Sequence, residues 1–157
     1  MERYYINKDN IAGKLIHYKD SNGMESWYKY NESGKLIHYK DSTGQEEWTD
    51  YNEAENMIHY KDSTGKEKWY EYDAFGNEIH YKDSYGYEKW SKYDEFNNKI
   101  YSKNSDGYEE WEEYNSIGKP VHYKNSNNFE YWQEYNDSGS LIHYTSSSGY
   151  EEWIAYE

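Results

Sequence analysis

The amino-acid sequence predicts an all-β fold: seven 21-residue β-hairpin repeats forming one long, twisted or coiled antiparallel meander sheet. Three observations carry this. Tryptophan recurs as Trp27, Trp48, Trp69, Trp90, Trp111, Trp132 and Trp153, always 21 residues apart, and a fixed period of roughly 20–50 residues marks a repeat architecture. Each period holds two runs of strand formers, such as "KLIHYK" (Lys14–Lys19) and "MESWYKY" (Met24–Tyr30), parted by turn residues. No stretch carries the 3.6-residue apolar stripe of an amphipathic helix.

The elements follow in order. Residues 1–12, with Tyr4-Tyr5-Ile6, read as an N-terminal capping strand. Residues 13–157 read as a single repeat domain of seven hairpins: 13–33, 34–54, 55–75, 76–96, 97–117, 118–138 and 139–157. Within each, a first turn such as Asp20-Ser21-Asn22-Gly23 joins the two strands, and a second such as Asn31-Glu32-Ser33-Gly34 leads to the next hairpin. Asp or Asn first and Gly fourth suits a type I turn whose last residue takes positive φ. Asn128 replaces that Gly without difficulty, because Asn tolerates this backbone region. Glu55 does not suit it, so its turn is expected to be distorted. Pro120 falls at a strand start, where the missing N–H costs little.

Composition narrows the class. The hydrophobic fraction is only 34% and the net charge −14, a balance that by itself points toward disorder. Aromatic residues reverse that reading: they make up 21% of the chain, with 23 tyrosines, and each ring buries roughly 150–250 Å². Cysteine is absent, no run is long and apolar enough to span a membrane, and the first residues have no apolar signal core. A cytoplasmic location is the expectation. With 16 lysines, a single arginine and an acidic balance, direct binding of nucleic acid or anionic membrane is disfavoured. A protein partner with a basic surface fits better.

Register follows from charge. A three-residue first loop places Lys19 opposite Glu25 and His17 opposite Trp27. An even second loop then pairs Tyr30 with Lys35 and Trp27 with His38. The consequence is a ladder Lys19–Glu25–Lys40–Glu46 that continues through Lys61, Glu67, Lys82 and Glu88. A second ladder, His17–Trp27–His38–Trp48, runs beside it. A slip of one residue would set Asp20 against Glu25, and like charges directly opposite destabilise a sheet. Alternation puts Lys, Glu, His and Trp on one face, and Ile16, Tyr18, Tyr28 and Tyr30 with their equivalents on the other.

"YEYDAFGNEIHYKDSYG" (Tyr70–Gly86) resembles the YD repeats of Rhs-type and Tc-toxin proteins, whose core is Tyr-Asp followed by x-x-Gly. Tyr72-Asp73 with Gly76 fits fully, Tyr93-Asp94 fits with Asn97 for Gly, and elsewhere the Asp is Asn, as at Tyr30-Asn31 and Tyr51-Asn52. The recurring Tyr, Trp and Gly also give a likeness to MORN-type hairpin repeats. The resemblance implies antiparallel hairpins in curved sheets or elongated scaffolds, and a role in structure and interaction with no catalytic residue to carry over.

The residues that could carry chemistry have plainer uses. His17, His38, His59, His80, His122 and His143 recur two strands apart, roughly 9–10 Å, too far to share a zinc ion whose ligands lie at ~2 Å. Stacking beside Trp is the expected role. Glu25 and its equivalents occupy repeated surroundings, whereas glycoside hydrolysis needs two carboxylates tuned apart. The serines from Ser21 to Ser147 read as turn caps. No enzyme, cofactor or metal site is expected.

Departures from the repeat point to binding. "DGYEEWEEY" (Asp106–Tyr114) gathers Asp106, Tyr108, Glu109, Glu110, Trp111, Glu112 and Glu113, and the next hairpin adds Phe129, Tyr131 and Trp132. These are the candidate partner-binding residues. The sequence thus reads as a non-enzymatic repeat protein that binds another protein through an extended aromatic and acidic surface. One alternative is an acidic inhibitor that imitates nucleic acid in a basic groove, in the manner of phage anti-defence (anti-CRISPR-like) or toxin-immunity proteins. Another is a carbohydrate-binding module using the ring stripe. Both terminal strands are open to edge-to-edge self-association.

Overall fold

The computed structural model describes residues 2–4 and 13–156, with side chains from residue 13 onward. Fifteen strands follow one another as an antiparallel meander in chain order: β1 Glu2–Tyr4, β2 His17–Lys19, β3 Glu25–Tyr30, β4 Leu36–Asp41, β5 Glu46–Tyr51, β6 Met57–Asp62, β7 Glu67–Tyr72, β8 Glu78–Asp83, β9 Glu88–Tyr93, β10 Lys99–Asn104, β11 Glu109–Tyr114, β12 Pro120–Asn125, β13 Glu130–Tyr135, β14 Leu141–Ser146 and β15 Glu151–Trp153. Seven hairpins, β2–β3 to β14–β15, follow the leading strand β1, which pairs Tyr4 with His17 and Glu2 with Lys19. Of the capping strand expected at Tyr4-Tyr5-Ile6, only Tyr4 is among the described residues. The backbone divides into two compact units, residues 1–71 with 82–85 and residues 72–81 with 86–157.

Each turn is built by its leading residue, which is Asp or Asn in all the described turns but the last, where Ser146 leads. Asn31 accepts Gly34 N–H on its main-chain oxygen, and its own N–H donates to Lys35 O, each at 2.9 Å. Its side-chain Oδ1 accepts Lys35 N–H at 2.8 Å. This places the fourth residue at positive φ, and glycine holds most such positions. Asn97 and Asn128 adopt it too, at φ 66° and 62°. The distortion expected at Glu55 does not occur. Glu55 takes φ 61°, and its turn keeps both main-chain bonds at 2.9 Å, because the Asn52 bonds dictate the loop and the glutamate absorbs the strain.

Within hairpins the register is the expected one: Lys19 lies opposite Glu25 and His17 opposite Trp27. Between hairpins it differs. Trp27 lies opposite Lys40, and His38 opposite Lys29. Both loops are odd and built alike, and the parity of the repeat is restored inside the strand. Lys29 pairs with His38 but Tyr30 with Leu36, leaving Ile37 as the extra residue of a β-bulge. Ile58, Ile100, Val121 and Ile142 occupy the same position in later hairpins. Relative to the sequence-based register, each hairpin is displaced by two residues, about 7 Å. From His38 onward the shift of two is even, so the faces are preserved there, whereas Leu36, before the bulge, moves to the face of Tyr30. The straight Lys–Glu and His–Trp ladders are broken at every bulge.

The displacement brings Ser42 beside Glu25. Ser42 N–H donates to Glu25 O at 2.8 Å, and Glu25 N–H donates to Ser42 Oγ at 3.0 Å. The same two-way link joins Glu46 to Ser63, Glu67 to Ser84, Glu88 to Ser105, Glu109 to Ser126 and Glu130 to Ser147. These serines therefore bridge neighbouring hairpins and leave their own turns to the leading residue, Asp or Asn in all of them but the turn led by Ser146. The tyrosine three residues after Trp serves the bulge: Tyr51 OH donates to Leu36 O at 3.2 Å and Tyr114 OH to Lys99 O at 3.4 Å.

Among the described residues no hydrophobic side chain is buried, and those that are buried are polar: Ser26, Asp41, Ser91, Ser102, Asn125 and Ser146. Among the described residues the meander is thus held by cross-strand pairs and main-chain links, and none of them forms a second layer of secondary structure.

Two stability changes follow. Glu55→Gly removes an αL strain and raises stability by about 1 kcal/mol, while Gly65→Ala, in open space at φ +89°, lowers it by a similar amount; urea midpoints measure both. Ser63→Ala strips the acceptor from Glu46 N–H and costs about 1 kcal/mol, read as a lower urea midpoint at unchanged slope.

Candidate functional site

One face carries a repeated group of four side chains. In the first unit His17 stacks on Trp27 with centroids 5.2 Å apart, His38 on Trp48 at 5.4 Å and His59 on Trp69 at 5.4 Å. Glu25 receives Lys19 Nζ at 2.8 Å and His17 Nε2 at 2.9 Å. Glu46 is held by His38 at 2.8 Å and Lys40 at 3.5 Å, and Glu67 by Lys61 at 3.1 Å and His59 at 3.2 Å. In the second unit His80, His122 and His143 stack on Trp90, Trp132 and Trp153. Tyr101, where the repeat has His, keeps the same partner by donating to Glu109 at 3.2 Å.

These bonds hold the Glu25, Glu46 and Glu67 carboxyls below the ordinary glutamate range, through Lys19 then His17, through His38, and through Lys61 then His59. Facing carboxylates address both ring nitrogens of His59 (Asp50 and Glu67), His122 (Glu113 and Glu130) and His143 (Glu134 and Glu151). Among the described residues no three His, Cys, Asp or Glu side chains converge to hold a metal ion. All seven tryptophans remain at least 37% exposed, so this face offers a column of half-open rings flanked by charge.

The opposite face differs between the units. Three residues before each tryptophan the first unit has Met24, Gln45 and Lys66, whereas the second has Tyr87, Tyr108, Phe129 and Tyr150. In the first unit Lys68 lies over the Tyr60 ring at 5.9 Å. In the second, rings meet rings: Tyr123 stacks on Tyr131 at 5.1 Å, Tyr131 on Tyr144 at 5.6 Å, and Tyr150 tilts against Tyr144 at 5.8 Å. Tyr108 and Tyr123 share a hydrogen bond of 2.8 Å between hydroxyls, and burial with that bond pushes Tyr123 up to about 12. Two clefts result. One of about 240 Å³ lies over Ser102, where the repeat has Tyr, between Tyr87, Tyr108 and Glu110. The other, about 430 Å³, lies between Phe129, Leu141, Tyr144, Tyr150 and Glu152.

The candidate binding residues are not brought together. Alternation sends Glu109, Trp111 and Glu113 with Trp132 to the histidine face, and Tyr108, Glu110 and Glu112 with Phe129 and Tyr131 to the tyrosine face. Asp106 sits in the turn of β10–β11. Much of the acidity is answered within the chain. Glu110 accepts Lys99 Nζ at 2.7 Å and Ser102 Oγ at 2.8 Å. Burial is the largest single influence and works against its charge, but Lys99, Ser102 and Tyr123 together outweigh it and hold the carboxyl low. Glu112 accepts Tyr114 OH at 2.7 Å, and Glu113 faces His122.

Sequence reasoning missed the ring row on the tyrosine face, although its signal was present in the residue three before each tryptophan. It also missed exposed apolar tips on successive turns of the second unit, Phe75, Phe96 and Ile117, at 73%, 71% and 59% exposure.

A ribbon of bulge-linked hairpins with a repeated Trp–His–Glu set defines a β-hairpin-repeat protein. Its backbone is similar to hairpin-repeat segments of Tc toxins. It matches the crystal structure of TcdB2-TccC3-TEV with a TM-score of 0.64 at 16% identity, over 90% of this chain and 9% of that chain. The Photorhabdus luminescens Tc holotoxin pore gives the same values, and TcdB2-TccC3-Cdc42 gives 0.61 at 17% identity, over 80% of this chain and 7% of that one. At such identity the likeness is one of fold, and the chain spans less than a tenth of the length of those proteins. No protein-family profile and no curated protein sequence matches it.

The lowered carboxyls set the acid limit of the fold. Their folded values lie below the unfolded value of about 4, as do those of the turn carboxyls Asp41, Asp62, Asp73 and Asp94. Their contribution is present above about pH 4 and is lost as pH falls through the folded values. Urea midpoints are expected to stay level near neutrality and to drop below about pH 4.

Proposed function

We propose that this chain is a non-enzymatic hairpin-repeat scaffold that binds a basic protein segment, using the tyrosine face of its second unit. The observation that carries the reading is the row Tyr87, Tyr108, Phe129 and Tyr150 in a chain whose described residues bury no hydrophobic side chain. Rings accumulated on a sheet face with no covering layer suit a partner's surface. The net charge of −14 selects a basic one. The repetition of Glu25, Glu46 and Glu67 in matching surroundings supports a structural use for these acids, since catalysis separates an acid from a base.

The test is direct titration of the chain with a lysine-rich dodecapeptide, followed by ring fluorescence. Binding is expected, with affinity falling at least tenfold as salt rises from about 0.05 to about 0.5 M. Absence of binding at low salt would overturn the reading. Displacement of the peptide by a glycan panel would favour a carbohydrate-binding module instead.

A further inference from the structure

Resting on that reading, the structure assigns a particular contact: we propose that the cleft of the seventh hairpin binds a lysine or arginine side chain of the basic partner. Its walls are rings. Tyr144 and Tyr150 meet at 58° with centroids 5.8 Å apart, and Phe129 faces them across a volume of about 430 Å³. Leu141 supplies an apolar surface for an alkyl stem, and Glu152 stands at the cleft as its carboxylate. Tyr150 OH donates to Glu152 Oε2 at 3.0 Å, which orients the carboxylate beside the ring. Ring faces with an adjacent carboxylate attract a cation twice over, through the quadrupole and through charge.

The chain itself shows what these positions hold when a cation is supplied internally. In the third hairpin Tyr60 pairs with Lys68, and the ammonium lies 5.9 Å from the ring centre. In the seventh the equivalent pair is Tyr144 with Glu152. Lys66, two residues before Lys68, corresponds to Tyr150. Both lysines of the third hairpin are thus exchanged for a carboxylate and a ring, and the cation that covers Tyr60 has no counterpart at the same register over Tyr144. Ser146 and Ser148 also line the cleft, but their hydroxyls bond each other at 2.8 Å as Tyr150 OH bonds Glu152, which engages the groups a sugar would use. A second copy of the chain would bring another −14 charges. A cationic side chain matches the stem surface, the rings and the carboxylate together.

The full chain is titrated with the lysine-rich dodecapeptide and with the same peptide acetylated at every lysine. The wild type is expected to bind the first at least tenfold more tightly. Glu152→Gln keeps the acceptor for Tyr150 and is expected to weaken binding about 5- to 10-fold. Tyr150→Leu keeps apolar bulk and should act similarly. Glu152→Lys reproduces at Tyr144 the pairing that Tyr60 makes with Lys68, is compatible with the repeat, and should abolish binding at this cleft by covering Tyr144 from within. Gln45→Ala in the first unit is the control and leaves affinity unchanged. Wild-type binding that survives all three cleft variants overturns this assignment while leaving the proposed function standing. A wild type that binds neither peptide removes the proposed function and the assignment with it. Equal affinity for the acetylated peptide also overturns the assignment.

Discussion

Each hairpin is tied to the next by a reciprocal pair of hydrogen bonds between a glutamate's main chain and a serine, as between Glu25 and Ser42. The rest of the structure depends on this link. In a layered domain, burial of apolar side chains decides how elements pack. Here the described residues bury no hydrophobic side chain, so spacing and direction come from groups that bond only at short range and fixed angle. The serine can reach the glutamate only if the neighbouring hairpin is displaced by two residues. The odd loop supplies one residue of that displacement, and the bulge at Ile37 and its equivalents supplies the other. An unvarying serine, an aliphatic residue at the bulge and a tyrosine to satisfy the carbonyl beside it are three parts of one joint.

The repeat then separates what is constant from what is free to change. On the histidine face nearly every hairpin keeps a ring stacked on Trp and a carboxylate held by its neighbours, and Tyr101 preserves the arrangement when His is lost. On the tyrosine face the position three before Trp moves from Met, Gln and Lys to Tyr and Phe. The joint does not use that position, so side chains can vary there without moving the backbone. This freedom lets a periodic scaffold acquire a local surface, and the second unit has used it to gather rings around two clefts. The fold likeness to the hairpin-repeat segments of Tc toxins extends to the backbone and stops short of these side chains.

Much of this was legible in the sequence, because a period of 21 repeats its evidence seven times. The strands of the hairpins, the turns and the pairing of Lys19 with Glu25 and His17 with Trp27 all follow from residue type and alternation. The register between hairpins did not. Parity could be met by an even second loop or by a bulge within a strand, and the sequence of Asn31–Gly34 allows both readings. The candidate binding residues are divided between the faces for a related reason. Consecutive charges in Glu109–Glu113 are neighbours in the chain but alternate between faces, and several are answered by Lys99, Tyr114 and His122 from elsewhere.

The sequence by itself determined the repeat, its hairpins and, apart from the residue before each bulge, which residues share a face, since these depend on local propensity and on the two-residue alternation of a strand. Only the tertiary structure decided how far each hairpin is displaced along the last, which serine meets which glutamate, and which rings enclose a cleft. Those depend on where a single unpaired residue is placed in each strand, and its position shows only when two strands lie side by side.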